Sequence, residues 1–311
     1  MAFRLRRGRN IGDEARRLFD RQLWRAIGCL RNLKTAAEPD TVHEARRHVK
    51  KARSVLRVIR SPLGAEYRTA NRRLRAVNRM LGELADARAM TGTLENLVDL
   101  DPALRTGISN ALRAHLIGRA ARLERQAQFD RRRLRAVRLL EAERARIPAW
   151  KLRVRGRNDV IPVVENAHRA ARAAMRDALR RPAADTWHAW RRAVKREWYL
   201  LRLLAERCGE RLDIDERRLG ALDACLGELH NVSLLQSLVA NDSALSRRET
   251  AHVLLALRRY RRNLRREARD MRHTLDEGPA IFGARVRAAW ASPRAIGTAA
   301  EATAAPWPYV A

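Results

Sequence analysis

Cysteine is scarce: Cys29, Cys208 and Cys225 are the only three in 311 residues, they form no C-x-x-C pair, and their number is odd. That excludes a disulfide framework and the usual zinc spacing, and reduced thiols in a cytoplasmic protein are expected. Aromatic residues are only 5% of the chain, so stacking platforms for bases are few. No apolar stretch approaches the roughly 20 residues that span a bilayer. The start, MAFRLRRGRNIGDEARR, is basic with no apolar run behind it, unlike a signal peptide. A soluble, intracellular protein without a membrane span is expected. There is no P-loop, no glycine-rich phosphate cradle and no HExxH pair, and the eight histidines converge on no carboxylate cluster in sequence. No catalytic residue, no metal ligand and no cofactor is therefore predicted.

Lysine is scarce as well. Positions 34, 50, 51, 151 and 195 carry all of it, and the remaining basic residues among 66 are arginine. The formal charge is +31 with a pI near 11.6, a field that attracts polyanions: nucleic acid, inorganic polyphosphate or an anionic membrane surface. Arginine suits phosphate because its planar fork donates two hydrogen bonds to one group. With 46% hydrophobic residues, the chain can still bury a core, as one large domain or two.

Three of the five lysines lie in two similar stretches, VHEARRHVKKAR at 42–53 and WHAWRRAVKREW at 187–198. Sliding the chain by 145 residues superposes them without a gap. His43, Arg46, Arg47, Val49, Lys50 and Lys51 fall on His188, Arg191, Arg192, Val194, Lys195 and Arg196. LGELAD at 81–86 falls on LGELHN at 226–231, Arg72 and Arg73 on Arg217 and Arg218, ALRAH at 111–115 on ALRRY at 256–260, and AEPD at 37–40 on PAAD at 182–185. A common offset held this long is the mark of a tandem duplication. Repeat 1 is placed at about 10–146 and repeat 2 at about 158–290.

Both repeats read as helical, since strand-like alternation is absent and Ala, Leu, Arg and Glu dominate. The predicted helices are 13–36, 41–60, 66–90 and 105–146, then 159–181, 186–208, 215–240 and 246–276. Thr41 with Glu44 forms a capping-box pattern, Asp185 and Thr186 offer N-caps, and Ser61-Pro62 and Arg181-Pro182 end helices. Four helices per repeat predicts an all-α fold of two four-helix bundles in a pseudo-two-fold pair. From about 291, ASPRAIGTAAEATAAPWPYVA loses periodicity and reads as a disordered tail.

On a helix, Val42, Ala45, Val49, Ala52, Leu56 and Ile59 make an apolar stripe, and His43, Arg46, Lys50, Arg53, Arg57 and Arg60 make a cationic ridge beside it. The second repeat matches with His188, Arg191, Lys195 and Arg202, and with Trp198 where Arg53 would fall. Two readings of His43 and His188 stand side by side: capping or packing, and contact with phosphate. Near several cations an imidazole resists protonation, so it would donate one neutral hydrogen bond. Trp187, Trp190 and Trp198 read as packing residues, and Asp86 as the partner of a neighbouring arginine. Gly82 and Gly227 inside predicted helices suggest close helix crossings.

These residues resemble the CHAD family, the conserved histidine α-helical domain, over roughly residues 10 to 290. The family's histidine with basic residues following is matched by His43, Arg46, Lys50, Lys51 and Arg53, and by His188, Arg191, Lys195 and Arg196. Its later LG-x-x-R-D-like element is matched by LGELAD and LGELHN. The resemblance implies two four-helix bundles around a central positive surface. It also implies binding of inorganic polyphosphate and targeting to polyphosphate granules. Ala85 and His230 replace the family's arginine, Asn231 its aspartate and Trp198 a basic residue, which implies weaker binding by the second half. The candidate set is His43, Arg46, Arg47, Lys50, Lys51, Arg53, Arg57, Arg72, Arg73 and Arg79 with His188, Arg191, Arg192, Lys195, Arg196, Arg202, Arg217 and Arg218. A CYTH-type phosphohydrolase partner domain is not expected, because EAERA at 141–145 lacks the lysine of E-x-E-x-K. Non-specific nucleic-acid binding is the second reading, and an enzyme of phosphate metabolism with a site assembled only in three dimensions is the third.

Overall fold

Hydrophobic residues recurring every three or four positions set the packed face of each helix, and the computed structural model describes residues 3–32, 41–105, 107–241 and 245–291. The described elements are α1 (Ile11–Arg31), α2 (Thr41–Val58), the single turn α3 (Arg60–Leu63), α4 (Ala65–Met80), α5 (Gly82–Leu100), α6 (Gly107–Arg125) and α7 (Ala127–Arg144). Then come α8 (Arg157–Arg180), α9 (Ala184–Cys208), α10 (Asp213–Ala240), α11 (Arg247–Asp270) and α12 (Pro279–Ala291). Among the described residues there is no strand, and no helix is long and apolar enough to cross a membrane. The fold is all-α. The segment from 292 onward and the loop at 37–40 lie outside the described residues.

Val42, Ala45, Val49, Ala52 and Leu56 of α2, and Ile59 just beyond its end, are all fully buried, and α2 packs on α1 within one continuous core. Helices 145 residues apart keep similar partners. α1 packs on α2 and α7, and α8 packs on α9 and α12. α5 packs on α6, and α10 on α11, while α2 meets α9 and α5 meets α10 across the two halves. Each opening helix pair also buries a histidine. His48 of α2 bonds Gln22 of α1 at 2.8 Å through Nδ1, and burial pushes its pKa down to about 4, which keeps it neutral. His168 of α8 bonds Glu197 of α9 at 2.7 Å and stacks on Phe282 of α12.

The helix count departs from four per repeat. The span predicted as 66–90 breaks at Leu81, and Arg46 of α2 donates to the Gly82 carbonyl at the start of α5 at 3.2 Å. The span predicted as 105–146 breaks at Gln126, which turns extended (φ −67°, ψ 127°). No glycine or proline marks that break, so periodicity runs through it. α12 was not foreseen, because the run before Pro279 ends in a 3₁₀ turn at Met271–Leu275. At α9 the cap is Thr186, three residues inside the N-cap Ala183, whose amide it accepts at 3.1 Å; Asp185 instead bonds the Thr186 amide.

The two glycines singled out for close helix crossings do not mark them. A Cβ at Gly82 meets open space, and one at Gly227 meets only the Arg191 guanidinium, 3.5 Å away. The tight approach is at Gly283, where α12 lies on α8 and a Cβ would stand 2.3 Å from Glu165 Cγ. Gly283→Ala is predicted to cost up to about 1 kcal/mol, since the half-buried Glu165 side chain has to move aside. Gly82→Ala is predicted to be neutral or to stabilise by up to about 1 kcal/mol, since alanine is the better helix former. Thermal melts of the two variants check the contrast, and equal losses would contradict it.

Candidate functional site

The cationic ridges of α2 and α9 face one another where the two helices meet. Lys50 sits partly buried beside Arg46 of its own helix and Lys195 and Arg191 of α9. Burial first, then those three cations, push its pKa down to about 7, against the pull of Asp223. Burial likewise lowers Arg191 and Lys195. Further along, burial and the charges of Arg53 and Arg196 push Arg57 down to about 9. Burial, Arg75 and Arg196 act the same way on Arg53, whose Nε is held by Asn71 at 2.9 Å. On the opposite flank Lys51 lies over the Phe3 ring, its pKa lowered to about 8 by burial, Arg47 and Arg202.

These encounters are reciprocal under the 145-residue offset. Arg57 of α2 meets Arg196 of α9, and Lys51, which aligns with Arg196, meets Arg202, which aligns with Arg57. Neither helix owns the site. It is a seam in which each half supplies one wall.

Carboxylates along the seam are distributed unevenly. Arg46 pairs with Asp86 at 3.1 Å, but the residue aligned with Asp86 is Asn231, so Arg191 has no equivalent partner. Lys195 pairs with buried Asp223 at 2.7 Å, but the residue aligned with Asp223 is Asn78, so Lys50 has none either. Each half thus bonds one rung to a carboxylate and leaves the other without a direct ion pair, and those two rungs, Lys50 and Arg191, lie within reach of each other's charge, with Arg191 also within reach of Asp223, Asp86 and Glu228. Buried Nε atoms of Arg46 and Arg196 also have no hydrogen-bond acceptor. A group of buried cationic donors short of acceptors fits an anion.

At one end His188 and His230 stand 4.4 Å apart between their ring centres. Burial, Arg191 and His188 hold His230 at about 4, and burial with Arg192 and Arg191 lowers His188. Both rings are therefore neutral at pH 7. His188 also lines a cavity of about 30 Å³ with Trp187, His230, Ser233 and Arg265, room for one water. His43 is exposed at the head of α2 and differs in setting from His188.

The other predicted residues divide. Arg47 is exposed and pairs with Glu44, and Arg202 is held by Glu216 and the Trp198 ring. Arg192, Arg72, Arg79, Arg217 and Arg218 are exposed. Arg73 is withdrawn from the seam, because it pairs at 3.0 Å with fully buried Glu143 of α7. Trp187 and Trp190 are buried, and the Trp198 indole donates to Glu216 at 2.7 Å. Sequence reasoning missed Arg75, His230 as a ring partner and Asp223. The offset already aligned Asp223 with Asn78, and that mismatch was the available signal. Among the described residues no cluster of three or more His, Cys, Asp or Glu side chains could hold a metal.

Residues 17–240 match the family profile described as the CHAD domain. The chain is also similar to the crystal structure of the CHAD domain from the plant Ricinus communis, with 15% identity and a TM-score of 0.56. That likeness covers 94% of this chain and 96% of the plant chain. No curated protein matches.

Arg73→Ala would strand buried Glu143, and a loss of about 2–3 kcal/mol is expected, whereas Arg72→Ala should stay within about 0.5 kcal/mol. Chemical denaturation of both variants tests this. Equal, small losses would return Arg73 to the set of residues free to bind a ligand.

Proposed function

The chain belongs to the CHAD family, and from that membership and the seam between α2 and α9 we propose that it binds inorganic polyphosphate without catalysing a reaction on it. The observation that carries the reading is the meeting of two cationic ridges, one from each half, with Lys50 and Arg191 bonded directly to no carboxylate. Polyphosphate is a flexible chain of identical anions, so repeated phosphate contacts suffice and no base reader is needed. The tryptophans of the α9 stretch support this choice over single-stranded nucleic acid: two are buried, and the third is covered by Arg202 and bonded to Glu216. Targeting to polyphosphate granules in the cytoplasm follows as part of the same proposal.

Lys50→Ala and Arg191→Ala test the single seam, since neither substitution strands a carboxylate and both should leave the melting temperature unchanged. Each is expected to weaken binding of long-chain polyphosphate by roughly tenfold, about 1.4 kcal/mol. The double variant should lose less than the sum, because both walls hold one chain. Calorimetric titration at fixed salt measures this, and log affinity of the wild type should fall steeply with log salt. Additive losses would mean two independent sites. Failure of polyphosphate to displace DNA at equal phosphate concentration would favour a nucleic-acid ligand.

A further inference from the structure

The seam holds a lysine, Lys50, placed to give up its charge and regain it. Most of the seam's cations are arginines, whose guanidinium ordinarily holds its proton far more firmly than a lysine ammonium does. The pKa of Lys195 is lowered by burial, but its ammonium donates directly to the Asp223 carboxylate at 2.7 Å. Lys50 has neither protection. On its own helix it faces Arg46, on α9 it faces Arg191 and Lys195, and the carboxylate that acts on it, Asp223 of α10, is already bonded to Lys195. Asp86 of α5 is bonded to Arg46. Where a carboxylate would complete the pattern, α4 supplies Asn78, whose buried Oδ1 has no partner.

We infer that Lys50 takes up a proton when an anion enters the seam, so that polyanion binding tightens as pH falls. This rests on the seam being the binding site, as proposed above, but not on the anion being polyphosphate. An entering anion supplies the negative charge that Asn78 does not, so the ammonium form of Lys50 becomes favourable in the complex. With its free pKa at about 7, Lys50 is mostly neutral at pH 8. In the complex its pKa moves toward the ordinary lysine range near 10. The bound pKa lies above the free one. Affinity therefore rises as pH drops through the bound value and levels off below about 7. The pair His188 and His230 is neutral near pH 8 and does not contribute there.

Titration calorimetry at pH 8 in two buffers of different ionisation enthalpy counts the protons taken up. Dextran sulfate is the first probe, because sulfate esters have no titratable proton in this range, and long-chain polyphosphate is the second. The wild type should take up roughly one proton more than Lys50→Arg, which retains its charge at every pH. Between pH 7 and 9 the affinity of Lys50→Arg should be the flatter of the two. Equal proton uptake by the two proteins with dextran sulfate would overturn the inference. Lys50-dependent uptake with dextran sulfate alongside no binding of polyphosphate would sustain the coupling and sink the polyphosphate reading.

Discussion

Like charges forced together at the meeting of α2 and α9 are the constraint around which the rest of this molecule is arranged. Two cations 6 Å apart repel by about 3 kcal/mol at an effective dielectric of 20, and the seam gathers at least Arg46, Lys50, Arg191 and Lys195. That repulsion is tolerated because the opposite face of each helix is bound into the core. Val42, Ala45, Val49, Ala52 and Leu56 of α2, and Trp190, Val194 and Leu201 of α9, are all fully buried. Burial of apolar area at about 25 cal/mol per Å² acts on every one of these side chains. The ridge rides on a face already held from behind. A surface helix with the same charges would simply separate from its neighbour.

Carboxylates adjust this tension without abolishing it. Asp86 and Asp223 each neutralise one rung, and Glu228 accepts from Thr93 and Asn96 of α5 and from Tyr260 of α11. Glu228 thereby ties α10 to the other half next to the seam, where its charge also bears on Arg191. Its counterpart in the first half, Glu83, pairs with Arg132 near the surface. Equivalent positions have taken different duties, and the seam stays positive as a result. A fully paired seam would be a structural ion-pair network, and a fully unpaired one would repel too strongly to close.

Much of this was legible in the residues themselves. The offset that carries His43 onto His188 also carries Lys51 onto Arg196 and Arg57 onto Arg202, and the structure places Lys51 within reach of the charge of Arg202 and Arg57 within reach of that of Arg196. The apolar stripe of α2 follows from helical spacing alone, because a period of 3.6 leaves no other face to bury. What stayed hidden depends on tertiary partners. Arg73 looks like its basic neighbours, yet a buried glutamate seventy residues away claims it. The break at Gln126 has no local signal, and Gly82 signals a close crossing but has only open space beside it. His48 lies within the quoted stretch, yet its role is set by Gln22 on another helix.

The rarity of lysine takes on meaning in this setting. A chain that meets nearly every need for positive charge with arginine places lysine at 50, 51 and 195, all on the two facing helices. Arginine offers a fixed charge and a fork for phosphate, whereas lysine offers a compact charge whose proton can leave when it is crowded or desolvated. Lys51 is desolvated over Phe3, Lys195 is fixed by Asp223, and Lys50 is crowded by cations from both halves. An arginine at position 50 would hold its charge against three neighbours at all times. Lysine there allows the empty seam to relax and the filled seam to recharge. The choice between two basic residues thus sets whether the repulsion at the helix crossing persists when no ligand is present.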